Sequence, residues 1–312
     1  MISSSQLIRQ SFKPSTLQRL ARDKKPRRAI PPGVHLLGLV FNWIARFRPQ
    51  WVSERLTALW FRVMKPRARP WVHAFWASAD ASGELHLYDQ IIPVYFWGRG
   101  PLVVCLHGWG GSGTQFRAMI PQLVAQGYRV AAFDAPSHGY NPGNTTNVLE
   151  IAQCLMALQQ QYGHVDTIVA HSFGGMATLT AAWQGFKPGR MALIAPGLDV
   201  SELFDSFCNA LELKQAVRDD FHQHVGDAMA KAMLEPEVWR LFSPECLLQY
   251  ASEKGFLIYD EQDEEVSSNA FIRYRRSWRG VTSVCTQGLG HYRILKDESA
   301  IAALIDWLGP VE

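Results

Sequence analysis

Cysteine is scarce and poorly placed for crosslinking. Five residues (Cys105, Cys154, Cys208, Cys246 and Cys285) are scattered through 312, odd in number and without one C-x-x-C pair. That argues against a disulfide-stapled secreted fold and makes a reducing compartment, the cytoplasm, the simpler expectation. No run approaches the roughly 20 apolar residues that a spanning helix needs. The best candidate, residues 34–44, is too short and soon meets Arg46. An apolar signal-peptide core near the start is also missing, which argues against export by that route; the Arg- and Ser-rich beginning leaves an organellar transit peptide open. Acid is nearly absent from the first 70 residues, which hold 15 Lys and Arg against only Asp23 and Glu54, a net +13. Since the whole chain is +3, the remainder carries −10. A basic arm precedes an acidic body.

Within the arm (residues 1–70), the first 33 residues lack sustained periodicity and read as a tail or a surface-draped segment. Residues 52–64 differ: Val52, Leu56, Leu59, Trp60, Val63 and Met64 recur at helical spacing, with Ser53 or the preceding turn as cap and Pro66 as stop. Such a stripe suits packing on the body, the simpler use. A cationic, Trp-bearing helix also suits an anionic membrane surface. No recognised nucleic-acid motif accompanies the charge, so no nucleic-acid partner is expected.

From residue 100 the pattern alternates. Apolar runs at 102–106, 128–133, 165–170, 191–195, 255–259 and 282–285 read as strands, with helices expected at 114–126, 147–162 and 173–186. Continuous apolar strands alternating with helices predict an α/β fold: a mostly parallel central sheet with helices on both faces. Residues 72–76 and 84–97 read as an antiparallel lead-in turning at Ala81-Ser82-Gly83. Residues 197–253 break the rhythm with helical stretches at 202–225 and 228–233 and no clear strand, and are expected to form a cap inserted over the strand ends, where such sheets bind ligands. The expected divisions are thus the arm, a core of 71–196 and 254–312, and the cap.

Four segments that follow strands carry chemistry. Ala170-His171-Ser172-Phe173-Gly174 sets small residues two either side of a serine, as a tight strand-to-helix turn requires if the Ser172 hydroxyl is to stand at its tip. His107-Gly108-Trp109-Gly110-Gly111 can turn backbone amides toward a reacting oxygen, so the amides of Trp109 and Phe173 are the candidate oxyanion hole. No Gly-Lys-Ser/Thr follows, which excludes a phosphate loop. An acidic loop holds Asp260, Glu261, Asp263, Glu264 and Glu265; any one of them taken alone reads as solvated. Gly288-Leu289-Gly290-His291 places a histidine beyond the last strand, third in the order Ser, Asp, His.

Taken together, residues 72–312 resemble the α/β-hydrolase superfamily (serine esterases, lipases and thioesterases with a helical cap). Phe133-Asp134-Ala135-Pro136-Ser137-His138-Gly139 adds to the likeness: it is similar to the family's D-x-P-G-H-G loop, with Ser137 in place of Gly. The family's G-x-x-D-x-x-V/I string maps onto residues 260–266, which gives Asp263 the acid role and puts Asp260 where Gly is common. The resemblance implies an α/β-hydrolase fold with an inserted helical cap and a serine hydrolase cleaving carboxylic esters or thioesters through an acyl-enzyme, with Ser172, His291 and Asp263 as nucleophile, base and acid. It implies no cofactor and no metal; His222 and His224 lack a third ligand at recognised spacing. Serine at the elbow argues against the dehalogenase and epoxide-hydrolase branches, which use Asp there. Two other readings stay open: a membrane-peripheral lipase, and a non-catalytic binding protein that keeps the fold. Phe204, Phe207, Phe221, Trp239, Leu241 and Phe242 of the cap suggest an apolar acyl group. His107, His138 and His171 are expected to pin loops.

Overall fold

A computed structural model describes residues 32–65, 69–87 and 90–311. Eight strands form one sheet in the order β1-β2-β4-β3-β5-β6-β7-β8. They are β1 (Ala81–Leu87), β2 (Gln90–Trp97), β3 (Leu102–Leu106), β4 (Arg129–Phe133), β5 (Thr167–His171), β6 (Arg190–Ile194), β7 (Gly255–Asp260) and β8 (Thr282–Thr286). Strands β3 to β8 are mutually parallel, and β2 pairs antiparallel with both β1 and β4. The chain runs from β3 outward to β4 and then returns to β5 on β3's other side. The sheet order therefore reverses between the ends of β3 and β5, the place where open α/β sheets bind ligands.

Strand β3 is apolar throughout because both of its faces are covered. In β3, Val104 and Leu106 face a core shared with Ile151 and Leu155 of α5 (Val148–Tyr162), Met176 of α6 (Phe173–Trp183) and Phe271 of α11 (Ser268–Ser277). Val103 and Cys105 face the opposite core, with Leu123 of α4 (Ile120–Ala125) and Ile301 and Leu304 of α13 (Glu298–Leu308). Local signals fix the helix ends: Asn147 accepts from the amides of Leu149 and Glu150 and so starts α5 one residue later than expected.

Between β6 and β7 lie only helices among the described residues: α7 (Val200–Ala210), α8 (Gln215–Met233), α9 (Val238–Leu241) and α10 (Pro244–Leu247). The expected helix at 202–225 is interrupted at Glu212, which takes φ +49°. The expected break after residue 225 is absent, because α8 continues through Gly226, against which Trp239 packs. Ahead of the sheet stand α1 (Pro32–Ile44), α2 (Pro49–Trp60) and α3 (Pro70–Ala77).

Four expectations need correction. Residues 72–76 are helical, not a strand: they lie in α3, where Pro70 supplies the first turn and Trp76 packs on Trp97. A short apolar run fits either period, and here burial against the hairpin decides. Ala81-Ser82-Gly83 is strand, not turn. The 52–64 helix begins at Pro49 without a side-chain cap and ends at Trp60, well before Pro66; Arg62 instead bridges to Thr145. Ser53 sits buried within it with its hydroxyl unpartnered. The expected helix at 114–126 is a 3-10 turn (Gly113–Phe116) followed by α4.

The stripe of α2 does pack on the body, specifically on the cap. Val52 and Leu56 are fully buried among Phe204, Cys208, Val217 and Phe221. Trp60 meets Phe204, Phe207 and Phe221 edge-on, with ring centroids 6.0, 5.3 and 6.4 Å away. Those cap aromatics, expected to suit an acyl group, are occupied by the arm.

Candidate active site

At the end of β5 the chain turns sharply into α6, and Ser172 occupies the corner at φ +54°, ψ −124°. This is a costly conformation for a side chain with a Cβ, and it persists because neighbouring bonds fix it. The Ser172 amide donates to the Ile194 carbonyl at 3.0 Å, and the Ser172 carbonyl accepts from Gly175 and Gly197. The β3 loop lies directly against this corner. A Cβ on Gly108 would sit 2.8 Å from the Ser172 Cβ, so only glycine fits there. Trp109 and Phe173, the two residues whose amides were candidates for the oxyanion hole, touch edge to face at 5.0 Å. The Phe173 amide belongs to the first turn of α6, where N–H groups have no partner within the helix.

His291 lies in a short helix, α12 (Gly290–Arg293), after β8. The Ser172 hydroxyl donates to its Nε2 at 2.9 Å, and its Nδ1–H donates to Asp263 Oδ2 at 2.8 Å. The carboxylate can only accept, which assigns the ring proton to Nδ1. The His291 and Asp263 side chains are almost wholly buried. The other Asp263 oxygen accepts from the amides of Glu265 and Val266 at 2.8 and 2.9 Å. Residues 172, 263 and 291, far apart in sequence, therefore form one chain of hydrogen bonds.

Three further side chains join this group. His171 is fully buried, and its Nε2–H donates to the His291 carbonyl at 2.9 Å. Burial, reinforced by the nearby His291, pushes its pKa down to about 3, so it is neutral. The carboxylate of Glu265 lies 3.4 Å from His291 Nε2. Asp260 is buried rather than solvated; it accepts from Thr286 Oγ1 at 2.8 Å and from the Leu289 amide at 2.9 Å. Burial alone would raise the Asp260 pKa, but these bonds, together with those from Gly290 and Gln262, hold it below the usual range. Asp260 thus ties β7 to the loop that leads into His291. Asp260 looked solvated in sequence, since acidic-loop composition carries no sign of which carboxylate turns inward; Glu265 is exposed, as expected.

The neighbouring histidines pin loops. His107 Nε2 accepts from the Ala135 amide at 2.9 Å, and its Nδ1–H donates to the Gly108 carbonyl at 2.8 Å. His138 Nδ1–H donates to the Pro136 carbonyl at 2.9 Å, and burial pushes its pKa down to about 3. Ser137, where the hydrolase loop usually has Gly, takes φ +61° and donates to the Thr145 carbonyl at 2.6 Å. Asp134 accepts from Ser112 Oγ at 2.7 Å and from the Gly113 amide at 2.9 Å, joining this loop to the one after β3. His222 stacks on Trp239 with centroids 4.0 Å apart.

Residues 103–306 match the model of the alpha/beta hydrolase family, well over half of the chain. The chain belongs to the alpha/beta hydrolase family. Among relatives of this chain is the magnesium-chelatase 30 kDa subunit of Rhodobacter capsulatus, 32% identical over 129 residues, which cover 38% of this chain and 43% of the relative. Epoxide hydrolase B of Mycobacterium tuberculosis is 33% identical over 99 residues, 30% of this chain and 27% of the relative. The matches thus span less than half the length of these relatives. An esterase of Pyrococcus furiosus has a similar fold, with a TM-score of 0.57 at 17% identity, covering 80% of this chain and 96% of the esterase.

Proposed function

We propose that this hydrolase cleaves carboxylic esters or thioesters of small molecules through a serine acyl-enzyme. The observation that carries the reading is the His291 imidazole bonded at once to Ser172 Oγ and Asp263 Oδ2. Ser172 Oγ attacks the acyl carbonyl carbon as His291 Nε2 takes the hydroxyl proton. The amides of Trp109 and Phe173 receive the negative charge that develops on the carbonyl oxygen. Asp263 keeps the ring proton on Nδ1 and stabilises the imidazolium, and the carboxylate of Glu265 adds to that attraction. His291 then protonates the departing alcohol or thiol. In the second half, water gives its proton to His291 and its oxygen to the acyl carbon, and Ser172 regains its proton as the acid leaves.

Serine at the corner favours acyl transfer over the epoxide chemistry named in one relative, because an alkyl-enzyme ester requires a carboxylate nucleophile there. The same reading divides the chain into the arm (1–70), the hydrolase core (71–196 and 254–312) and the cap (197–253). A panel of chromogenic esters and acyl-CoA thioesters of graded acyl length, with a covalent serine probe, tests it. Wild type is expected to turn over at least one acyl class and to take the label, and Ser172→Ala to do neither. A wild-type protein that the probe does not label would point to a non-catalytic protein on this fold.

A further inference from the structure

Helix α1 is mostly apolar, with no acidic residue in PGVHLLGLVFNWI, and the described residues cover only one side of it. The covered side is fixed by the turn between α7 and α8. A Cβ on Gly38 would fall on the Leu211 carbonyl oxygen, so backbone meets backbone there. Asn42 Nδ2 donates to the Glu212 carbonyl at 2.9 Å, and Asn42 Oδ1 accepts from the Lys214 amide at 2.8 Å. Phe41 is buried on the same side. At 100° per residue, the opposite side carries Leu36, Leu39, Val40 and Trp43, and Phe47 extends it past the helix end. These five are between 42% and 72% exposed. Among the described residues, seven of the fourteen exposed large apolar side chains fall between positions 36 and 51, so this is a patch and not scatter.

We propose that this outer face of α1 docks the protein on the surface of an anionic lipid bilayer, an inference that goes beyond the hydrolase reading and does not depend on it. Charge selects the partner. Arg46, Arg48 and Arg55 are exposed beside the apolar face, Arg55 lies over the Trp51 ring at 5.2 Å, and the first 70 residues carry +13. A second copy meeting this face about a twofold axis would set two such cationic arms against each other. Residues 1–31 carry eight cations and one acid, a charge that does not complement the arginines beside this face. An anionic bilayer satisfies both halves of the face: apolar side chains enter the acyl boundary, Trp43 and Trp51 sit at headgroup level, and the arginines meet lipid phosphates. The stripe of α2 takes no part, because Val52 and Leu56 are buried under the cap.

The test is co-sedimentation of the full chain with phosphatidylcholine vesicles made with or without phosphatidylserine, comparing wild type with Trp43→Glu/Phe47→Glu and with Arg46→Glu/Arg48→Glu. Both replaced pairs are exposed, so melting temperature and any hydrolysis of a water-soluble ester are expected to match wild type. Wild type should partition onto the serine-lipid vesicles and be released by salt. The apolar double variant should bind at least about tenfold more weakly, and the charge variant should lose its preference for anionic lipid. Absence of wild-type binding, or variants that bind as wild type does, would overturn the proposal. So would sedimentation velocity showing a wild-type dimer that the apolar variant dissolves, which would assign the face to a second copy. Vesicle binding without ester turnover would remove the hydrolase reading and leave this one standing.

Discussion

The imidazole of His171 holds the backbone of His291: its Nε2–H meets the His291 carbonyl at 2.9 Å in a fully buried setting. The residue that precedes the serine in sequence therefore positions the ring that faces that serine in space. Replacing His171 with Leu removes the donor, and kcat on the best ester is expected to fall about tenfold with KM nearly unchanged, since loss of one buried bond costs roughly 1–3 kcal/mol. His171→Gln keeps a donor and should recover most of the rate. A variant pair with equal rates would show that the bond does not position His291.

Asp263→Asn should preserve the fold while favouring the wrong His291 tautomer, because the amide now offers an N–H where the ring needs an acceptor. The expected loss is about 10³–10⁴-fold in kcat, read with a chromogenic ester alongside a thermal melt.

Gly108→Ala forces a methyl against Ser172 Cβ. The β3 loop must shift, and the Trp109 amide with it. A drop of about 10²-fold in kcat is expected. Serine-probe labelling should slow in proportion, with the melting temperature a few degrees lower at most.

Ser172→Gly removes both the hydroxyl and the penalty of φ +54°. Activity should vanish while the protein becomes more stable by about 1 kcal/mol, seen in the denaturant midpoint. Lower stability than wild type would show that the corner is not strained.

His138 and His171 are both held neutral, with pKa values pushed down to about 3 by burial. The unfolded chain regains ordinary histidines near pH 6.5, so between about pH 6.5 and 3 it binds more protons than the folded one. Stability is therefore complete above that window and falls as pH drops through it, by at most about 1.4 kcal/mol per pH unit for each histidine. Urea melts at stepped pH should show this slope, and His138→Asn should flatten it.

The parallel part of the sheet was legible because its strands are largely apolar, residues 102–106 wholly so, and alternate with helical stretches. Of the candidate site, the order Ser172, Asp263, His291 could be read, since each follows a strand at the same sheet end. The inward turn of Asp260 could not, because long-range loop packing decides it. The arm was legible only in part. An amphipathic stripe looks the same whether it meets protein or lipid, and only Trp60 seated among Phe204, Phe207 and Phe221 separates the two cases for α2. Residues 72–76 were misread because a short run of four apolar residues around His73 suits either period, and Trp76 found its partners as a helix.

Seating Trp60 in the cap's aromatic box has a mechanical consequence. Any hinge movement of the cap takes α2 with it, because Trp60, Val52 and Leu56 pack among its aromatic side chains. Where entry of a large substrate requires that movement, a crosslink that freezes the limb should slow large substrates and spare small ones.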